Sequence, residues 1–141
     1  IGGALASNQA GNSNIGIGNA LESNTDGSTN IAIGFQSLNE NTEGSLNVAL
    51  GNQALLDNTI GNDNTALGNN ALQSNVDGVG NVGVGNNALW SSTGNYNIAL
   101  GLEAGDDITT GSYNIIVGYG VDAASASDDY QLNIGNILFG D

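Results

Sequence analysis

Six residue types are missing from this 141-residue chain: lysine, arginine, histidine, proline, cysteine and methionine. Its fourteen aspartates and glutamates therefore stand without a cation, and the formal charge is −14. Lysine and arginine supply most of the affinity of proteins for nucleic-acid phosphates, so we expect no nucleic-acid partner. An anionic membrane surface is disfavoured for the same reason. The absence of cysteine excludes disulfides, thiolate nucleophiles and cysteine-based zinc sites.

The same absences narrow the chemistry that is available to the chain. Without histidine, cysteine, lysine or arginine, only a pair of carboxylates of the glycosidase kind could carry out catalysis. Nothing in the sequence pattern brings two carboxylates together, and the calcium-binding Gly-Gly-x-Gly-x-Asp repeat is not found. We therefore expect no enzyme activity, no cofactor and no metal. No apolar run approaches the ~20 residues of a membrane-spanning helix, so membrane insertion is not expected.

What the chain does contain is a repeat, as in Gly61–Asn75. A glycine closes an apolar triplet in each repeat, and these glycines recur at intervals of 16 or 17 residues. Within the triplet, larger aliphatic residues flank a small one, and this alternation predicts a short strand. Such a fixed period is typical of repeat architectures. The closing glycines are Gly2, Gly18, Gly34, Gly51, Gly68, Gly85, Gly101, Gly118 and Gly135.

An Ala-Leu pair follows most of these glycines, with an asparagine three residues after the leucine. We expect each repeat to hold two short extended segments and two turns, with asparagines forming ladders at the turns. Stacked repeats give an all-β fold, a parallel β-solenoid (β-helix or β-roll) of about nine coils, with the regular β-solenoid repeats over residues 1–118. Residues 119–141 are expected to form an irregular C-terminal cap or a transition to a missing domain. Because Ile1-Gly2 enters the repeat midway, we expect the chain to be part of a longer one.

The small residue of each triplet is the basis of an interface prediction. If the larger aliphatic residues point into the coil, alternation turns the small residue outward. A small, uncharged stripe along a rod favours burial against other chains in a closed dimer or trimer, although such a stripe could also be tolerated in water. The interface predicted in this way consists of Ala32, Ala49, Ala66, Ala99 and Ile116.

Four aromatic residues are candidates for receptor contact. Tyr96, Tyr113 and Tyr130 recur at 17-residue spacing, which predicts either an aromatic stack between coils or a platform for a sugar ring. Trp90 follows the leucine of its repeat and is expected to point outward, where it could contact a receptor or pack within a trimer.

The pattern GxxN-[IVT]-[AG]-[ILV]-G-x-x-A-L-x-x-N-T resembles the repeats of bacteriophage tail fibres that end in an endosialidase-type intramolecular chaperone. The resemblance covers residues 1–118, and residues 131–140 look like the segment that precedes the chaperone. More loosely, residues 47–51 and 97–101 are similar to the head repeats of trimeric autotransporter adhesins. Both families imply an extracellular or virion-borne homotrimer with its solenoids side by side.

The function expected from this resemblance is that of a structural and receptor-binding segment of a trimeric fibre, most simply a phage tail fibre that attaches to a cell-surface glycan or protein. A bacterial adhesin head is one alternative. An ice-binding β-solenoid is another, because the stripe of small residues is flat, although the threonine column of the chain is only one residue wide. The spacing predicts that this column consists of Thr25, Thr42, Thr59, Val76, Thr93 and Thr110.

Overall fold

A computed structural model describes residues 3–135, which form a single sheet of eight parallel strands wound into a β-solenoid of about seven turns. Each strand pairs with the next strand along the chain. The predicted all-β parallel solenoid is therefore confirmed, with about seven turns in the described residues where the sequence predicts about nine coils. The first marker, Gly2, and the apolar residues 137–139 lie outside the described residues. The strands are β1 (Ile15–Ile17), β2 (Ile31–Ile33), β3 (Val48–Leu50), β4 (Thr65–Leu67), β5 (Val82–Val84), β6 (Ile98–Leu100), β7 (Ile115–Val117) and β8 (Leu132–Ile134).

The register of the sheet places each repeat column directly on itself. Ala32 pairs with Ala49, which pairs with Ala66, and the residues on either side pair in the same way. β-branched residues favour this extended backbone because their side chains fit a pleated surface. The register thus turns each column of the sequence into a straight row of side chains along the rod.

The expected orientation of the strand residues was wrong. Ala32, Ala49, Ala66, Ala99 and Ile116 have no exposed surface and belong to the core of the coil. The larger residues on either side of them point outward instead. The alanine column therefore cannot be the chain–chain interface, because it is already covered within one chain.

The inversion follows from how thin the coil is. The middle residue of each strand points inward and lies against the leucine of the turn that precedes the strand. The space between the two admits little more than a methyl group. At Gly83 an added Cβ would lie only 3.1 Å from the carbonyl oxygen of Ala88 and 3.3 Å from Cγ of Leu72. Close packing leaves no room for two bulky columns inside. Alternation alone could not distinguish the two faces.

The second half of each coil also differs from the expectation. Within residues 3–135 it contains turns and no second strand, and the leucines at its centre have left-handed backbone angles, as at Leu38 (φ 51°) and Leu72 (φ 53°). A leucine in this region costs roughly 1–2 kcal/mol relative to an ordinary angle. Their burial offsets this cost. The predicted inward leucine column is confirmed, and its fully buried members are Leu21, Leu38, Leu55, Leu72 and Leu89.

Two asparagine ladders hold the coils together, as expected. In one, Nδ2 of Asn41 donates to Oδ1 of Asn24 at 2.7 Å, and Nδ2 of Asn58 donates to Oδ1 of Asn41 at 2.8 Å. In the other, the backbone N–H of Asn47 donates to Oδ1 of Asn30 at 2.9 Å, while its Nδ2 donates to the carbonyl of Gly61. Each buried hydrogen bond contributes about 1 kcal/mol. These amides therefore act as scaffold.

Residues 119–130 form no strand, and Gln131 fixes the course of this segment. Its Nε2 donates to the carbonyls of Ser125 and Asp128, and its Oε1 accepts the N–H of Ser125. β8 then pairs with β7 in register. None of the described residues forms a helix that could cross a membrane.

Candidate functional site

The outward side of the sheet is an aliphatic surface of half-buried and exposed side chains, here called the sheet face. It consists of the first and third residues of β1 to β8, and all sixteen are aliphatic except Thr65. None of them is buried: for example, Ile17 is 42% exposed, Ile33 39% and Leu100 41%. The sheet face comprises Ile15, Ile17, Ile31, Ile33, Val48, Leu50, Thr65, Leu67, Val82, Val84, Ile98, Leu100, Ile115, Val117, Leu132 and Ile134.

Trp90 lies on a different part of the coil, among the turns after β5. Its side chain is 45% exposed. Its Nε1 donates a hydrogen bond of 2.6 Å to Oε1 of Gln73 in the preceding coil. The indole is therefore an outward-facing aromatic surface whose orientation is set by a neighbouring amide, and this agrees with the expected outward position.

Tyr96, Tyr113 and Tyr130 form a stack, as one of the two interpretations predicted. Their ring centroids are 5.2 and 4.9 Å apart, with interplanar angles of 22° and 9°. A Cβ at Gly80 would lie 2.6 Å from Cδ1 of Tyr96, so the backbone of Gly80 covers the other side of that ring. Both faces of Tyr96 and Tyr113 are thus occupied. These two rings present edges and hydroxyl groups, and no open face on which a sugar could stack.

The threonine column uses its hydroxyl groups within the chain. Oγ1 of Thr42 donates to the carbonyl of Thr59, and Oγ1 of Thr93 donates to the carbonyl of Thr109. The register also corrects the column, in which Thr109 takes the place expected for Thr110. An ice-binding array needs hydroxyl groups that are free to order water, and these hydroxyl hydrogens are already committed.

Carboxylates of adjacent coils lie close together at two places. Partial burial, and then the charge of Glu40, raise the pKa of Asp57 above its usual range. Partial burial, together with a hydrogen bond and repulsion from Asp106, likewise raises the pKa of Asp122. At Asp107 burial and the charge of Asp122 raise the pKa despite the hydrogen bond that its Oδ1 accepts from the N–H of Ala123.

Residues 3–135 contain no surface pocket and no group of three or more acidic side chains placed to hold a metal ion. These residues therefore offer surfaces for binding, namely the sheet face, the indole of Trp90 and the tyrosine stack.

Comparisons with family models, with curated proteins and with solved structures find no match. The structure alone establishes the fold.

The sheet face is the feature that the sequence interpretation missed. The signal was available in residue size, because two columns of isoleucine, leucine and valine cannot both fit inside a coil of 16 or 17 residues. The column of smallest residues belongs inside such a coil, and the two larger columns belong outside.

Proposed function

We propose that the chain is a structural and receptor-binding segment of an extracellular trimeric fibre, of the bacteriophage tail-fibre kind, and that it is not an enzyme. Its place is the virion or another extracellular surface, and its receptor is a cell-surface glycan or protein. The observation that carries the proposal is that hydrogen bonds connect each coil of the rod to the next. Backbone pairing from β1 to β8 and the asparagine ladders repeat the same contacts in nearly every coil.

Such a rod suits a structural segment that presents an extended binding surface. At about 4.8 Å per coil, seven turns span roughly 34 Å. Each coil contacts mainly its neighbours, which is the arrangement of repeat proteins that present extended surfaces. The sequence has no lysine or arginine, so trypsin-like proteases find no cleavage site in an exposed fibre.

Trp90 is the residue that we assign to receptor contact. Tryptophan is enriched among residues that carry most of the binding energy of an interface. The hydrogen bond to Gln73 orders the indole before binding, which lowers the entropic cost of association.

The proposal has two tests. Analytical ultracentrifugation should give a mass of three chains, and a stable monomer or dimer would contradict the trimer. A glycan array of bacterial surface polysaccharides, probed with wild type and with Trp90→Ala, should show binding that falls at least tenfold in the variant. Ile60→Ala, at a 50% exposed site of another column, is the control and should bind like wild type. Equal binding by Trp90→Ala and wild type would contradict the assignment of Trp90.

A further inference from the structure

We infer that the sheet face is the surface on which a second copy of this chain lies. This inference rests on the proposed function, since it names the surface through which fibre chains associate. It replaces the alanine column, which is sealed inside each coil.

The first argument is that no described part of the chain covers the outward face of this parallel sheet. In α/β proteins the crossover helices cover both faces of a parallel sheet, and the strands are accordingly apolar on both sides. Here the strands are also apolar on both sides, and the turns of the coil bury the inward side from β2 to β7, whereas no outward residue of the eight strands is buried. Exposed apolar patches of this continuity are typical of interaction surfaces.

The second argument concerns charge. Of the fourteen acidic residues, Asp141 lies outside the described part of the chain, and the other thirteen lie between strands. Asp63 alone among them falls within two residues of a strand. A second copy carries the same negative charge and no cation, so association is least opposed where no carboxylate lies. A cationic partner would instead be drawn to the acidic turns, which leaves a second copy as the occupant that fits the sheet face.

The third argument is size. The sheet face is roughly 34 Å long, and with the columns that border it, it is roughly 20 Å wide. This area approaches the about 800 Å² per partner that a stable protein interface needs. On one side Phe35, 57% exposed, and Leu102, 40% exposed, add apolar surface, with Asn52, Asn69 and Asn86 between them. On the other side the tyrosine stack adds aromatic surface beside β6, β7 and β8, while Asp63 lies in the same column beside β4.

The test compares two substitutions of the same kind on different sides of the rod. Ile33→Glu places a carboxylate on the sheet face. Ile60→Glu changes an isoleucine that is more exposed but lies in a turn column whose neighbouring coils carry Glu43 and Asp77. We expect light scattering to show at least a hundredfold weaker association for Ile33→Glu and unchanged association for Ile60→Glu. Circular dichroism of each variant checks that the solenoid is folded.

A milder variant keeps the test decisive if Ile33→Glu does not fold. Ile31→Thr places on the sheet face a residue that β4 already carries at the equivalent position, Thr65. Association should weaken about tenfold with the fold intact.

The outcomes separate this inference from the proposed function. A trimer that survives Ile33→Glu, or unchanged association of Ile31→Thr where Ile33→Glu does not fold, would overturn the inference and leave the fibre proposal standing. A wild-type dimer that Ile33→Glu dissociates would support the inference and contradict the trimer. A monomeric wild type would overturn both the inference and the proposed trimer. Binding of a hydrophobic dye to that monomer would show that the sheet face is free to bind a different partner.

Discussion

At the scale of single residues, the same amino acid has opposite roles in different columns. Asn58 lies in a ladder in which its Nδ2 donates to Asn41 and Gly61 and its Oδ1 accepts from Asn75. Asn39 is also buried, but its Oδ1 has no hydrogen-bond partner. Leaving a buried polar atom unpaired costs about 1–3 kcal/mol. Burial alone therefore does not tell whether an asparagine stabilises the coil.

This contrast gives a prediction for Asn39. Asn39→Leu should raise the free energy of unfolding by about 1–2 kcal/mol, because it removes the unpaired oxygen and because Leu56 already occupies the same column in the next coil. Asn58→Leu is the matched control and should lower the free energy of unfolding by several kcal/mol, since it leaves its ladder partners unpaired. Urea unfolding measures both. A destabilising Asn39→Leu would contradict this account of Oδ1.

At the scale of one coil, the interior has a nearly fixed volume, and different coils fill it with different residues. Between β6 and β7, Gly105 stands where other coils have the turn leucine, and Ile108 stands where most have asparagine. In β7 itself Ile116 stands where β6 has Ala99. A Cβ on Gly105 would lie 3.3 Å from both Ile108 Cδ1 and Ile116 Cγ1. The isoleucines thus occupy the space that a leucine fills elsewhere.

This exchange of volume predicts non-additive mutations. Ile116→Ala should destabilise the protein by about 2–5 kcal/mol through a cavity, and Gly105→Leu by about 1–3 kcal/mol through overpacking. The double variant restores the standard leucine and alanine beside an unchanged Ile108, so its loss should be smaller than the sum by at least about 1 kcal/mol. Thermal and urea unfolding of the four proteins measures this coupling. Simple additivity would show that the residues do not share one space.

At the scale of the whole molecule, charge of one sign governs the response to pH. The raised pKa values of Asp57, Asp107 and Asp122 mean that the folded chain binds protons more tightly than the unfolded chain does. The free energy of unfolding therefore falls as pH rises from the ordinary aspartate value of 3.8 through the raised values. No ion pair with a lysine or arginine is lost on acidification, because the chain has neither residue.

We accordingly expect the melting temperature to be higher at pH 4 than at pH 7, opposite to the usual acid destabilisation of proteins. Added salt at pH 7 should also raise it, since salt screens the repulsion between carboxylates. Asp57→Asn and Asp122→Asn should each reduce the difference between the two pH values, because each removes a group that is costly to ionise in the fold. Scanning calorimetry across this range measures the effect, and a melting temperature that falls steadily below pH 7 would contradict it.

The sequence by itself determined the solenoid. The 16- or 17-residue period stacks each column on itself, so the parallel sheet, the inward leucines, the asparagine ladders and the tyrosine stack all follow from spacing. The tertiary structure decided which residues of each strand point into the coil and which point outward. Alternation separates two faces without saying which is inside, and only the narrow space between Ala66 and the turn leucines puts the small column inward. The same packing leaves the aliphatic residues outside, and with them the surface through which we expect the chains to meet.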